Sequence, residues 1–203
     1  MGSKVDIARD IVTVQNKPVF IEAKLIYILL NKPKDCITTS SDEKGRTTVL
    51  NLIPKIHRVF SVGRLDRNTT GALLLTNDGD LAFRLTHPKF GVYKTYHVQV
   101  GQTIKIHQIK KLTSGMELGD DIETAPCEAL ILDPPVNKNI LVRLHEGKNR
   151  QIRRMFEALG FDVVKLDRTD YAGITTEGLK RGDWRYLHEH EVKYLKKLAK
   201  TKD

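Results

Sequence analysis

Apolar positions fall along this chain in short blocks with two different periods. Runs of strand length cover Leu25–Leu30, Arg58–Val62, Ala72–Thr76, Thr95–Val100, Cys127–Leu132, Ile140–His145 and Phe161–Leu166. Such runs, rich in aliphatic residues and bounded by turn formers, predict β-strands. Between them Thr47–Ile53, Asp80–Thr86, Ile104–Ser114 and Asn149–Leu159 predict helices, the second entered through the turn Asn77-Asp78-Gly79. Strands joined sometimes by helices and sometimes by glycine turns give an α+β fold whose sheet is mixed and largely antiparallel.

The two ends differ from this middle. Residues 1–24 hold one β-like run, Ile11–Val14, and a turn at Gln15–Pro18, and read as an N-terminal extension. Residues 25–187 carry the alternation of strands and helices and form the main domain. Residues 188–203 read as a basic C-terminal helix: Val192, Leu195, Leu198 and Ala199 recur at helical spacing among lysines. That polar side is a solvated face or a contact for a polyanion.

The 203 residues include 34 Lys and Arg against 25 Asp and Glu, a net charge of +9. This excess suits nucleic acid or an acidic surface without choosing between them. The longest apolar runs, such as Leu25–Leu30, fall far short of the roughly 20 residues that span a bilayer. The first residues lack the basic and apolar regions of an export signal, so a cytoplasmic location, with no membrane partner, is expected. Two cysteines, Cys36 and Cys127, make neither a disulfide framework nor a cysteine-rich metal site. His188 and His190 read as a solvated helix entry. Neither a phosphate-binding glycine loop nor an H-E-x-x-H pair occurs, so no metal or other cofactor is expected.

Three stretches could carry chemistry. Ser61 to Gly71 lies between two apolar runs and sets Asp66 between Arg64 and Arg67. Asp, Asn, Thr and Gly are ordinary turn chemistry there, but the loop could also lift one carboxylate into a cleft. A nearby arginine would keep that carboxylate ionised, as a nucleophile or a base. The second stretch, Glu146 to Phe156, aligns Ile152, Met155, Phe156 and Leu159 on one helical stripe, with Asn149 as the expected N-cap. Arg150 and Arg154 then lie opposite the stripe, while Arg153 sits at its edge and requires an anionic partner, for which Asp66 is a candidate. In the third, period-two alternation sends Lys94 and Tyr96 to one face of a strand and Tyr93, Thr95 and His97 to the other. A tyrosine beside a cation can stack on a base while the cation meets phosphate.

In order, Tyr27 to Pro33, Gly63-Arg64-Leu65-Asp66 running through Gly79, Lys94-Thr95-Tyr96, and Glu146 to Met155 resemble the motifs of the RsuA/RluB/RluF branch of RNA pseudouridine synthases. The forms Asn149 to Arg154 and Gly178 to Arg185 look closer to the enzymes of large-subunit (23S) ribosomal RNA than to those of 16S. The resemblance implies the pseudouridine synthase fold and an isomerase that turns a uridine of ribosomal RNA into pseudouridine without a cofactor. It also implies a monomer whose partner is that RNA, free or within an assembling subunit. It makes Asp66 the essential aspartate, Tyr96 the ring that stacks on uracil, Arg153 the basic partner of the aspartate, Ile152 its apolar neighbour and Arg64 an aid in holding the flipped nucleotide. Lys32, Arg67, Lys94, Arg150 and Arg154, from the same motifs, are expected to bind substrate. Members often carry an N-terminal α-L RNA-binding module, of which Ile11–Pro18 resembles the last strands.

Overall fold

The computed structural model describes residues 5, 10–18, 24–39, 42–55, 58–119 and 122–200. Its elements in chain order are β1 (Thr13–Val14), β2 (Lys17–Pro18), β3 (Tyr27–Lys32), β4 (Phe60–Ser61), β5 (Thr70–Thr76), α1 (Gly79–Thr86), β6 (Lys94–Val100), α2 (Ile106–Thr113), β7 (Glu128–Ile131), β8 (Asn139–Leu144), α3 (Gln151–Glu157), β9 (Val163–Tyr171), β10 (Ile174–Thr175), β11 (Trp184–Tyr186) and α4 (Glu189–Lys200). A nine-stranded sheet runs β11-β3-β5-β9-β6-β8-β7, with β4 beside β5 and β10 beside β9. Among the described strands of this sheet β5 and β9 pair in parallel and the other ladders are antiparallel.

The leucine run of β5 explains why this strand is central. Leu73 and Leu75 pack into a core on one face of the sheet, with Ile28 and Leu30 of β3 and with Ile152, Met155 and Phe156 of α3. Ala72 and Leu74 point the other way, into a second core with Leu29, with Leu81 and Leu85 of α1, and with Leu195 and Ala199 of α4. A strand buried on both faces loses polar alternation and reads as a continuous apolar run. On β6, by contrast, burial alternates, with Lys94, Tyr96, Val98 and Val100 inward. The expected stripe of the C-terminal helix is realised: Leu195 and Ala199 are buried and Val192 and Leu198 half-buried.

Several expected boundaries move. The helix expected over Thr47–Ile53 is a single 3-10 turn, Val49–Leu52, because Asn51 folds back to accept from both the Thr48 amide and hydroxyl. The strand expected to end at Leu166 continues as β9 to Tyr171, since its charged residues still complete a ladder with β6. Helix α3 starts at Gln151, and the residue at its N-cap is Arg150 in the left-handed region, φ 48°, instead of Asn149. The edge strand β11, three residues long, carries too little pattern to be read from sequence. In the N-terminal extension β1 and β2 pair across Gln15 and Asn16; residues 1–4, 6–9 and 19–23 of that extension, and 201–203 of the C-terminal tail, lie outside the described residues. Among the described residues no helix is long and apolar enough to cross a membrane.

Candidate active site

The loop bearing Asp66 leaves β4, turns at Gly63 and re-enters the sheet at Thr70. It is tied down residue by residue. The Thr38 hydroxyl accepts from the Leu65 amide and donates to the Leu65 carbonyl, at 3.3 and 2.8 Å. The Asp66 carbonyl accepts from the Thr69 amide at 3.0 Å. Under the loop the fully buried ammonium of Lys32 reaches four carbonyls: those of Thr69 at 2.8 Å, Asp66 at 3.0 Å, and Pro33 and Arg67 at 3.2 Å. Burial pulls this lysine down to about 8, against the opposing attraction of Cys36, Asp66 and Asp35. Gly71, φ 105°, closes the loop where β5 meets β9. A Cβ there would lie 2.2 Å from the Arg168 carbonyl oxygen, so only glycine permits that approach.

Asp66 faces a cavity of about 470 Å³. One wall is the loop itself, with Arg64, Leu65 and Thr69; the floor is Lys94 and Tyr96 of β6, Leu144 of β8, and Leu166, Arg168 and Tyr171 of β9; the far wall is 146–152. Glu146 braces that far wall. Its carboxylate accepts from the Ala125 amide at 3.0 Å and from the Gln151 side chain, and pairs with Lys148 at 3.1 Å. On the floor, Lys94 donates to the Val92 carbonyl at 3.0 Å. Burial and the nearby charge of Arg168 pull it down to about 8, with Glu146 acting in the other direction. The chamber thus sets the Asp66 carboxylate and a buried tyrosine ring among cations, with the Glu146 carboxylate engaged in the far wall and Arg64 and Arg150 exposed at the rim. Such a chamber can hold a planar base against the ring, present the carboxylate to the attached sugar, and meet phosphates with the rim arginines.

Of the residues singled out in the sequence, Asp66, Tyr96, Arg64, Lys94, Arg150 and Ile152 line this cavity. Four do not. Lys32 lies beneath the loop, fully buried, with its ammonium held by main-chain carbonyls. Arg67 points outward and pairs with Asp35 at 3.0 Å. Arg154 reaches back to the carbonyls of Leu118 and Gly119. Arg153, expected to pair with Asp66, makes no ion pair with it within 4 Å; its guanidinium donates instead to the Val163 carbonyl at 3.0 Å. Asp66 still acts on Arg153 through space, favouring its charge while burial and Arg150 oppose it. Helical angle placed Arg153 at the edge of the buried stripe; it could not show that a β9 carbonyl would take its hydrogen bond.

Sequence reasoning missed Arg168 and gave Glu146 and Thr69 no role. Arg168 carries a faint signal, since it stands two residues after Leu166 and shares its buried face. The polar residues around it concealed the strand. Among the described residues no group of three His, Cys, Asp or Glu side chains is arranged to hold a metal ion.

Residues 26–158 match the family model described as RNA pseudouridylate synthase. The chain is 44% identical over 178 residues to the ribosomal large subunit pseudouridine synthase B of Bacillus subtilis (strain 168), covering 86% of this chain and 72% of that protein. It is 34% identical over 209 residues to the protein of the same name from Vibrio vulnificus (strain CMCP6), covering 100% of this chain and 65% of that one. A crystal structure of a pseudouridylate synthase superposes with a TM-score of 0.80 at 30% identity, over 95% of this chain and 83% of that chain.

Proposed function

Because the chain belongs to the RNA pseudouridine synthases, we propose that it converts a specific uridine of ribosomal RNA, in the large subunit, to pseudouridine, with Asp66 as the group that acts at the sugar. The observation that carries this reading is Asp66 itself: a carboxylate on a loop bolted to the sheet, facing a basic chamber floored by Tyr96. A surface that only held RNA would gain nothing from a negative charge at that point. The large-subunit assignment is supported by the likeness to the Bacillus subtilis enzyme.

In this reaction the bond from uracil N1 to ribose C1′ breaks, the base turns within the chamber, and C5 joins C1′ as its proton leaves and N1 regains one. Asp66 serves either by attacking C1′ or by removing the 2′ proton. The uridine must first leave its stack, at a cost of a few kcal/mol. Stacking on Tyr96, worth about 1–3 kcal/mol, and phosphate contacts to Arg64 and Arg150 at the rim offset that cost. Ile152 packs beside the base.

Pseudouridine mapping across ribosomal RNA from cells with and without the gene tests the assignment. One site lost from 23S RNA, and restored by the purified protein acting on that RNA, is the expected result. An unchanged map, or a site lost only from 16S RNA, contradicts it.

A further inference from the structure

Among the described residues three buried side-chain polar atoms have no hydrogen-bond partner: Thr69 Oγ1, Asn137 Oδ1 and Arg168 Nη2. Two of the three, Thr69 and Arg168, belong to residues lining the Asp66 cavity. The large majority of buried side-chain polar atoms in folded proteins have a hydrogen-bond partner, so an unpartnered guanidinium nitrogen on a residue in the floor of a binding chamber points to a partner that arrives with the substrate. Arg168 is only 3% exposed and is held from two sides. Its Nε donates to the Ala72 carbonyl at 2.7 Å, and the guanidinium carbon lies 4.5 Å from the centre of the Tyr171 ring. These contacts fix the group and leave Nη2 unused.

Its place in the sheet says what the partner is. Arg168 pairs across the ladder with Tyr96 on one side and with Gly71, at the end of the Asp66 loop, on the other. Adjacent strands lie about 4.8 Å apart, so a uracil stacked on Tyr96 carries its edge over Arg168. The oxygen acceptors on that edge are the base's carbonyls. When the N1–C1′ bond breaks, its electron pair stays on N1 and is shared with those carbonyl oxygens. Negative charge therefore grows beside Arg168 in the transition state, with a second buried cation, Lys94, lining the same floor. A donor fixed in advance against growing charge lowers a barrier far more than it tightens binding.

We propose that Arg168 is a further catalytic residue, which donates from Nη2 to a carbonyl oxygen of the target uracil and stabilises the uracil anion as it leaves C1′. The charge is discharged when C5 bonds to C1′ and the C5 proton is lost with N1 protonated, so no outside reactant is needed. This inference rests on the pseudouridine synthase reading above.

Leaving-group chemistry tests it. Single-turnover rates of N1–C1′ cleavage are measured on RNA fragments that carry uridine or 5-fluorouridine at the target position, for the parent, Arg168→Gln and Arg168→Lys. The fluorinated base is the more acidic and departs with less help. Arg168→Gln is expected to slow cleavage of uridine by roughly 100-fold and that of 5-fluorouridine much less, raising the ratio of the two rates at least tenfold over the parent. Arg168→Lys, which keeps a buried cation, should fold more readily and move the ratio in the same direction by a smaller factor. Ratios equal to the parent's in folded variants, or loss of fold in both variants, overturn the proposal by making Arg168 structural only. A parent that forms no pseudouridine removes the reading on which the proposal stands; an active parent with an invariant ratio removes the Arg168 proposal alone.

Discussion

Replacing Lys32 with methionine keeps most of the side-chain volume while removing the ammonium that grips the Asp66 loop. Four carbonyls lose a donor. Two of them keep another, because the Asp66 carbonyl still accepts from the Thr69 amide and the Arg67 carbonyl from the Asp35 amide. The Pro33 and Thr69 carbonyls are the ones exposed to loss, at about 1–3 kcal/mol for each acceptor left bare. Against this, burial of an ammonium carries a desolvation penalty of several kcal/mol, visible in the depression of Lys32 to about 8, and methionine escapes it. The two effects largely cancel, so global stability should stay within about 2 kcal/mol of the parent's. Catalysis should not be spared. A displacement of about 1 Å of a reacting group can cost roughly 100-fold in rate, and the loop no longer has its central tie. Urea denaturation reads the first quantity, single-turnover conversion of uridine the second, and hydrogen exchange at the Thr69 amide the loosening between them. A variant whose rate is within twofold of the parent's, with unchanged exchange at Thr69, would refute the reasoning.

Gly71→Ala should destabilise by about 3 kcal/mol, because it combines a positive φ with a Cβ placed 2.2 Å from the Arg168 carbonyl oxygen. Gly45→Ala, also at positive φ but with open space around it, should cost only about 1 kcal/mol; equal melting temperatures for the two would contradict the close approach of β5 and β9. Lys94, held at about 8 instead of its ordinary value near 10.5, is protonated below that pH and neutral above it. RNA affinity at fixed salt should therefore fall as pH rises through 8 in the parent and stay level in Lys94→Arg; a parent profile that does not bend there argues against a substrate role for this lysine.

The legible parts of the molecule were those where one local pattern decides the outcome. The run Ala72 to Thr76 was readable as a strand, and its unbroken apolar character reflects the cores that meet both of its faces. The alternation that set Lys94 and Tyr96 on one face of β6 was also readable, and that face is the buried one. The same local logic failed where long-range partners decide. Arg153 was rightly set beside the apolar stripe, yet its hydrogen bond goes to Val163, on a strand whose position relative to α3 no helical wheel contains. Lys32 had the look of one more cation for RNA until the fold placed four carbonyls around it. Arg168 was missed because Asp167 to Asp170 reads as a polar loop, whereas backbone pairing to β6 makes it a strand. The candidate site was thus readable as a set of residue types and motifs; which cations face the chamber and which brace it depended on the tertiary structure.

The central claim is that Asp66 performs the chemistry at the sugar. Its most direct test compares the parent with Asp66→Asn on 23S ribosomal RNA, measuring both pseudouridine formed and RNA affinity. Asparagine nearly conserves shape and leaves the carbonyl grip of Lys32 and the rim arginines in place, so affinity should stay within a few fold while pseudouridine formation disappears. An Asp66→Asn variant that modifies the RNA at a rate near the parent's would contradict the account.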